Sequence, residues 1–133
     1  MDFSEGGYGE GLLVKKALSN TTQKLPSPAG GEPRAAAWVK IELDNSQELY
    51  FGATHFCHEF SENRIAQLDA ITNYADSLPK PAFWAGDLNF DPTSEEYKSI
   101  GPQWSDAGKV AENDSPTFDS EEGKRIDYVW YDS

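Results

Sequence analysis

The stretch from Ser61 to Asn89 constrains the fold more than any other part of the chain. Ile65, Leu68, Ile71, Ala75 and Leu78 recur at intervals of three and four, one apolar stripe along a helix running to about Ser77. Ser61 stands where a helix N-cap belongs, and Pro79 and Pro81 stop the helix. Ala82-Phe83-Trp84-Ala85 follows at once. A short apolar run bounded by turn signals predicts a buried strand. A one-faced helix delivering the chain into a buried strand is the second half of a βαβ unit, so this helix must lie on a sheet.

The flanking segments supply the rest of that sheet. Ala35 to Leu43 alternates, with Ala37, Val39 and Ile41 on one face and Trp38 and Lys40 on the other. Asp44-Asn45-Ser46-Gln47 reads as a turn. Leu49 to Thr54 reads as the next strand, so the two predict an antiparallel hairpin. Leu12-Leu13-Val14 is expected to be a short strand. Residues 19 to 33, with Pro26, Pro28, Gly30, Gly31 and Pro33, read as a solvent-exposed connector. Thr93 followed by Glu96 has the form of a capping box for a helix over Ser94 to Ile100. Residues 101 to 124 read mostly as loop, and Ile126 to Tyr131 as the last strand. Hairpins early and strand–helix alternation late predict a layered α/β fold rather than an all-β one.

Bulk properties narrow the function. A length of 133 residues suits one domain, and 38% hydrophobic residues are enough for a real core. The formal net charge of -12 disfavours strong binding to duplex nucleic acid, whose phosphates are met mainly by Lys and Arg. A bound cation or a local basic patch can still admit a phosphorylated substrate. Cys57 is the only cysteine, so no intrachain disulfide can form. No apolar run approaches the roughly 18 residues of a membrane span. Met1-Asp2-Phe3-Ser4-Glu5 lacks the basic and apolar regions of an export signal.

Three short segments carry the chemistry. Gly86-Asp87-Leu88-Asn89 directly follows the buried strand, where side chains of an α/β sheet meet ligands. Asp87 can accept a proton from water, and the Asn89 carboxamide can donate to a phosphate oxygen. The same tetrapeptide is equally an ordinary turn. His55 closes the preceding strand, where it can stabilise developing negative charge or serve as a hydrogen-bonded surface residue. His58 reads as loop, and the two histidines lack the i, i+4 spacing of a zinc pair. Asp127 sits in the apolar run Arg125-Ile126-Asp127-Tyr128-Val129. Burial there would demand a partner: a cation, a donor, an imidazole, or a salt bridge to Arg125 or Lys124.

Taken in order, the Thr54-His55 strand end, Arg64-x-x-Gln67, Gly86-Asp87-Leu88-Asn89 and Arg125-Ile126-Asp127-Tyr128-Val129 resemble the endonuclease/exonuclease/phosphatase superfamily. Tyr8-Gly9-Glu10-Gly11-Leu12-Leu13, Pro33-Arg34-Ala35 and Pro116-Thr117-Phe118 add to the resemblance, which covers nearly the whole chain. It implies a partial four-layer α/β sandwich, two β-sheets flanked by helices, incomplete at both ends, with residues 1–133 forming the C-terminal portion of the domain. It also implies hydrolysis of phosphoesters with Mg²⁺ or Mn²⁺. By position, Asp87 would orient or deprotonate the attacking water and Asn89 would hold the scissile phosphate, both near the metal. His55 would stabilise charge on the phosphate. Asp127 would hold a catalytic histidine in the right tautomer, as the buried acid of a triad does.

The family pattern also includes an early asparagine and glutamate, the main metal ligand, and a late Ser-Asp-His segment. Neither occurs at the matching place here, and the chain's only histidines are His55 and His58. The resemblance therefore implies weak cation binding and a chain that is inactive or weakly active by itself and self-associates through exposed sheet edges. The alternative is a catalytically dead member acting as a binding module. Family substrates span nucleic acids, lipids and phosphoinositides. Trp38, Trp84, Trp104 and Trp130 are available either to stack on a substrate or to fill the core.

Overall fold

The computed structural model describes residues 9–119 and 121–132, with the backbone of 2–3 and 6–7. It is an α/β fold. Two short strands, β1 (Asp2–Phe3) and β2 (Gly6–Gly7), pair with each other. Six more form one mixed sheet: β3 (Ala17–Leu25), β4 (Arg34–Glu42), β5 (Glu48–His55), β6 (Ala82–Asp87), β7 (Trp104–Asp106) and β8 (Asp127–Asp132). Their order across the sheet is β3-β4-β5-β6-β8-β7. The helices are α1 (Ser61–Ser77), α2 (Glu95–Ser99) and α3 (Ala107–Val110). The β4–β5 hairpin forms as expected, and β5–α1–β6 is the expected βαβ unit, with the sheet's one parallel pairing. The second sheet layer implied by the resemblance is not seen among the described residues beyond the short β1–β2 pair.

The core lies on the α1 side of the sheet. Trp38 from β4, Trp84 from β6 and Tyr128 and Trp130 from β8 meet Leu68, Ile71 and Ala75 of the helix there. Trp84 stacks on Trp130 with ring centroids 5.8 Å apart and meets Trp104 edge-on at 6.1 Å. All four tryptophans are buried, which assigns them to packing and not to ligand stacking. Gly52 is required by this packing, because a Cβ there would lie 2.7 Å from the Trp38 ring.

Several local expectations are corrected. The first part of the Tyr8–Leu13 motif lies outside the described residues, and Leu12-Leu13-Val14 is not a strand. Leu13 is fully exposed, and the strand is the polar β3 that follows, paired along β4 with a bulge between Ala17 and Ser19. An edge strand buries little, so an apolar pattern is not needed to make one. Residues 26–33 are a connector, but a pinned one. The fully buried Asn63 accepts from the Ala29 N–H at 2.8 Å and donates to the Gly30 carbonyl at 2.7 Å. Gln67, also fully buried, donates to the Pro26 carbonyl at 3.0 Å and accepts from the Cys57 N–H at 2.9 Å.

These amides displace Ile65, which is 39% exposed, from the buried stripe of α1. Ser61 does not cap α1; Phe60 holds the cap position and Ser61 Oγ donates to Glu96 Oε1. Glu96 is thereby taken from the capping box, and Ser94 caps α2 by accepting from the Tyr97 N–H at 3.1 Å. A buried carboxylate gains more from a guanidinium and a hydroxyl than from a helix-end amide. The segment read mostly as loop from 101 to 124 contains β7 and α3.

Candidate active site

Strand register gathers the candidate residues at one end of the sheet. His55 on β5 stands opposite Asp87 on β6, and Asp87 stands opposite Asp127 on β8. The three occupy one row across neighbouring strands, on the face away from α1. His55 Nε2 lies 3.6 Å from Asp87 Oδ2, and both side chains are about one-third exposed, at 30% and 32%. Gly86 fixes the approach of β6 to β5, because a Cβ there would fall 1.8 Å from the Thr54 carbonyl oxygen.

Asn89 completes the group from the turn after β6. It adopts a left-handed backbone conformation, φ 53°, which asparagine tolerates better than most residues. Its N–H donates to Asp87 Oδ1 at 3.0 Å and its Nδ2 donates to the Phe56 carbonyl at 2.9 Å. One amide hydrogen and the Oδ1 remain for a ligand. The turn and active-site readings of this tetrapeptide are therefore compatible: it is a turn that presents Asp87 and Asn89. His58 lies outside the row, with Nδ1 3.3 Å from Arg34 Nη2 and Nε2 3.4 Å from Glu59 Oε1.

Asp127 departs from expectation. It is exposed, because alternation along β8 sends Tyr128 and Trp130 into the core and turns Asp127 and Val129 the other way. Its backbone N–H, with that of Ile126, donates to Thr117 Oγ1, each at 3.1 Å. Arg125 does not pair with it. Arg125 is buried and forks onto Asp106, Nη1 to Oδ1 at 3.0 Å and Nη2 to Oδ2. Asp106 also accepts from the Tyr97 hydroxyl at 2.9 Å and caps α3. Burial works against its charge, yet the hydrogen bonds from Arg125 and Tyr97 hold its carboxyl below the ordinary carboxylate value.

Sequence reasoning did not assign these supporting groups. Thr117 stood in a motif without a role, and Asp106 gave no signal at all. Arg64 donates to the Cys57 carbonyl at 3.2 Å and to Glu96 Oε1 at 2.9 Å, steadying the loop after His55. Arg34 Nη1 reaches the His55 carbonyl at 3.5 Å. For a divalent cation, Asp87 and Asn89 offer hard oxygen donors of the right kind. Among the described residues, no group of three or more His, Cys, Asp or Glu side chains could hold a metal ion.

A model of the Endonuclease/Exonuclease/phosphatase family matches residues 3–133. The chain belongs to this family. Its fold resembles that of a mannosyl-6-phosphatase from Bacteroides thetaiotaomicron, with a TM-score of 0.72 and 20% identity over 88% of this chain and 52% of that one. The human Nocturnin catalytic domain with bound sulfate gives a TM-score of 0.69 and 23% identity over 89% and 48% of the two chains. A family protein from Bacteroides vulgatus gives 0.72 and 23% over 88% and 54%. At these identities the likeness is one of fold, and the chain spans about half the length of the structures it matches. No curated protein is similar enough in sequence to be matched. No helix among the described residues is long and apolar enough to cross a membrane.

Proposed function

We propose that this chain carries a divalent-cation-dependent phosphoester hydrolase site made of His55, Asp87, Asn89 and Asp127. The observation that carries the reading is the row: an imidazole and two carboxylates, far apart in sequence, held side by side on β5, β6 and β8. Asp87 orients and deprotonates water, with its other oxygen fixed by the Asn89 N–H. The spare Asn89 amide hydrogen and the His55 imidazole hold the phosphate oxygens. The Asp127 carboxylate, exposed at the end of the row, is free to orient an imidazole. Mg²⁺ or Mn²⁺, held by Asp87 and Asn89, would neutralise phosphate charge. Two protein donors are few for such an ion, so affinity is weak and turnover by this chain slow.

The fold neighbours named as a phosphatase and as a sulfate-bound catalytic domain agree with an anion site. The second reading, a catalytically silent binding module, is favoured by the lack of three converging metal ligands among the described residues. Hydrolysis of a phosphoester panel with Mg²⁺ or Mn²⁺ separates the two. Asp87→Ala and Asn89→Ala should each lower the rate by about a hundredfold or more. Full activity in both variants removes the site assignment, and a wild-type chain that binds phosphate without turnover supports the silent module. We also propose that the open edge of β3 pairs with a second copy of the chain.

A further inference from the structure

We infer that the groove beside Asp127, between β8 and the segment from α3 to Thr117, takes the leaving group of the phosphoester, and that this group is uncharged, saturated and rich in hydroxyls, a sugar or polyol. The inference rests on the phosphoester reading above. The groove encloses about 560 Å³, within the usual range for small-molecule sites. Gly86 and Asp127 line it, so it opens directly from the candidate row. A leaving group attached to a phosphate held at His55 and Asn89 therefore has this groove as its neighbour.

The lining selects among leaving groups. Asn113, Ser115 and Thr117 give the lining its hydroxyl and amide groups, and small apolar side chains such as Ala85 and Pro116 give it surface that suits the C–H faces of a sugar. The Thr117 oxygen already accepts two backbone N–H groups, so its O–H remains to donate. Ser115 Oγ donates to Asn113 Oδ1 at 3.4 Å, which leaves the Asn113 amide hydrogens for a ligand. These are the partners hydroxyl groups need.

Two other classes fit poorly. A nucleobase or aryl group needs an aromatic platform, and the one ring lining the groove, Tyr128, is 3% exposed with its hydroxyl bonded to the Phe90 and Arg125 carbonyls. An additional phosphate needs an uncompensated cation, and the lining guanidinium, Arg125, is neutralised by Asp106.

Backbone-amide NMR of the full chain with Mg²⁺ tests this, using inorganic phosphate, glycerol phosphate and phenyl phosphate as probes. Phosphate should shift His55, Asp87, Asn89 and Asp127. Glycerol phosphate should also shift Gly108, Asn113, Ser115 and Thr117 and bind about fivefold tighter, the worth of one net hydrogen bond. Phenyl phosphate should gain nothing over phosphate. The double variant Asn113→Ala/Ser115→Ala changes only exposed side chains; it should remove the glycerol phosphate advantage and leave phosphate binding intact. Glycerol phosphate behaving like phosphate, or phenyl phosphate binding tighter, overturns the inference and leaves the phosphoester reading standing. Phosphate that leaves the His55–Asp87–Asp127 row unshifted overturns both.

Discussion

Asp106 shows how much a site can depend on a residue that has no place in it. Its carboxylate receives Arg125 and Tyr97 in a buried cluster, and Arg125 lies two positions before Asp127. Replacing Asp106 with Asn leaves a buried guanidinium without its counter-charge, at a cost of about 3–5 kcal/mol. The same carboxyl titrates below its ordinary value in the folded state. Its contribution is thus complete above the unfolded carboxyl value of about 3.9 and is lost as pH falls toward the depressed folded value. Urea titrations across this acid range should find the wild type losing stability steeply and Asp106→Asn, already weakened, losing less. Equal slopes in the two proteins would contradict the linkage. None of this is visible in the sequence, because an acid and an arginine nineteen positions apart do not announce their pairing.

The helix α1 shows the limit of pattern reading at the level of an element. Its period, length and stop were legible, since an apolar stripe and two prolines act locally. The identity of its buried face was only half legible. Asn63 and Gln67 are buried because they satisfy backbone groups of the 26–31 segment and of Cys57, partners distant in sequence. Gln67→Leu keeps the volume and strands the Cys57 N–H and the Pro26 carbonyl. A loss of about 2–4 kcal/mol is expected, with much faster hydrogen exchange at the Cys57 amide. Unchanged exchange there would show that the loop is held by other contacts. Because Phe56 supplies the carbonyl that receives Asn89, loosening this loop should also loosen the site.

For the whole molecule, the edges of the sheet matter most. β3 is exposed along most of its length, and among the described residues its one pairing partner is β4. An open edge of this kind is a template for another strand. Sedimentation should reveal concentration-dependent association. Leu18→Pro, at the unpaired residue of the bulge on this edge, should weaken it about tenfold while the monomer stays folded, since edge bulges tolerate proline. A single monomeric mass at every concentration would refute pairing through β3. The net charge of -12 acts against such contacts through repulsion, so association should strengthen with added salt.

The sequence by itself determined the α/β class, the βαβ unit around α1, the hairpin before it and the ordered motifs that place the chain in its family. These are local patterns, set by side-chain periodicity and turn chemistry within a few residues. The tertiary structure decided which residues meet. Register across β5, β6 and β8 aligned His55, Asp87 and Asp127, residues 32 and 40 positions apart. It also turned Asp127 outward, gave Arg125 to Asp106 and made a strand of polar residues 17–25. Strand pairing is a relation between distant backbones, and a one-residue change of register would send every one of these side chains to the opposite face.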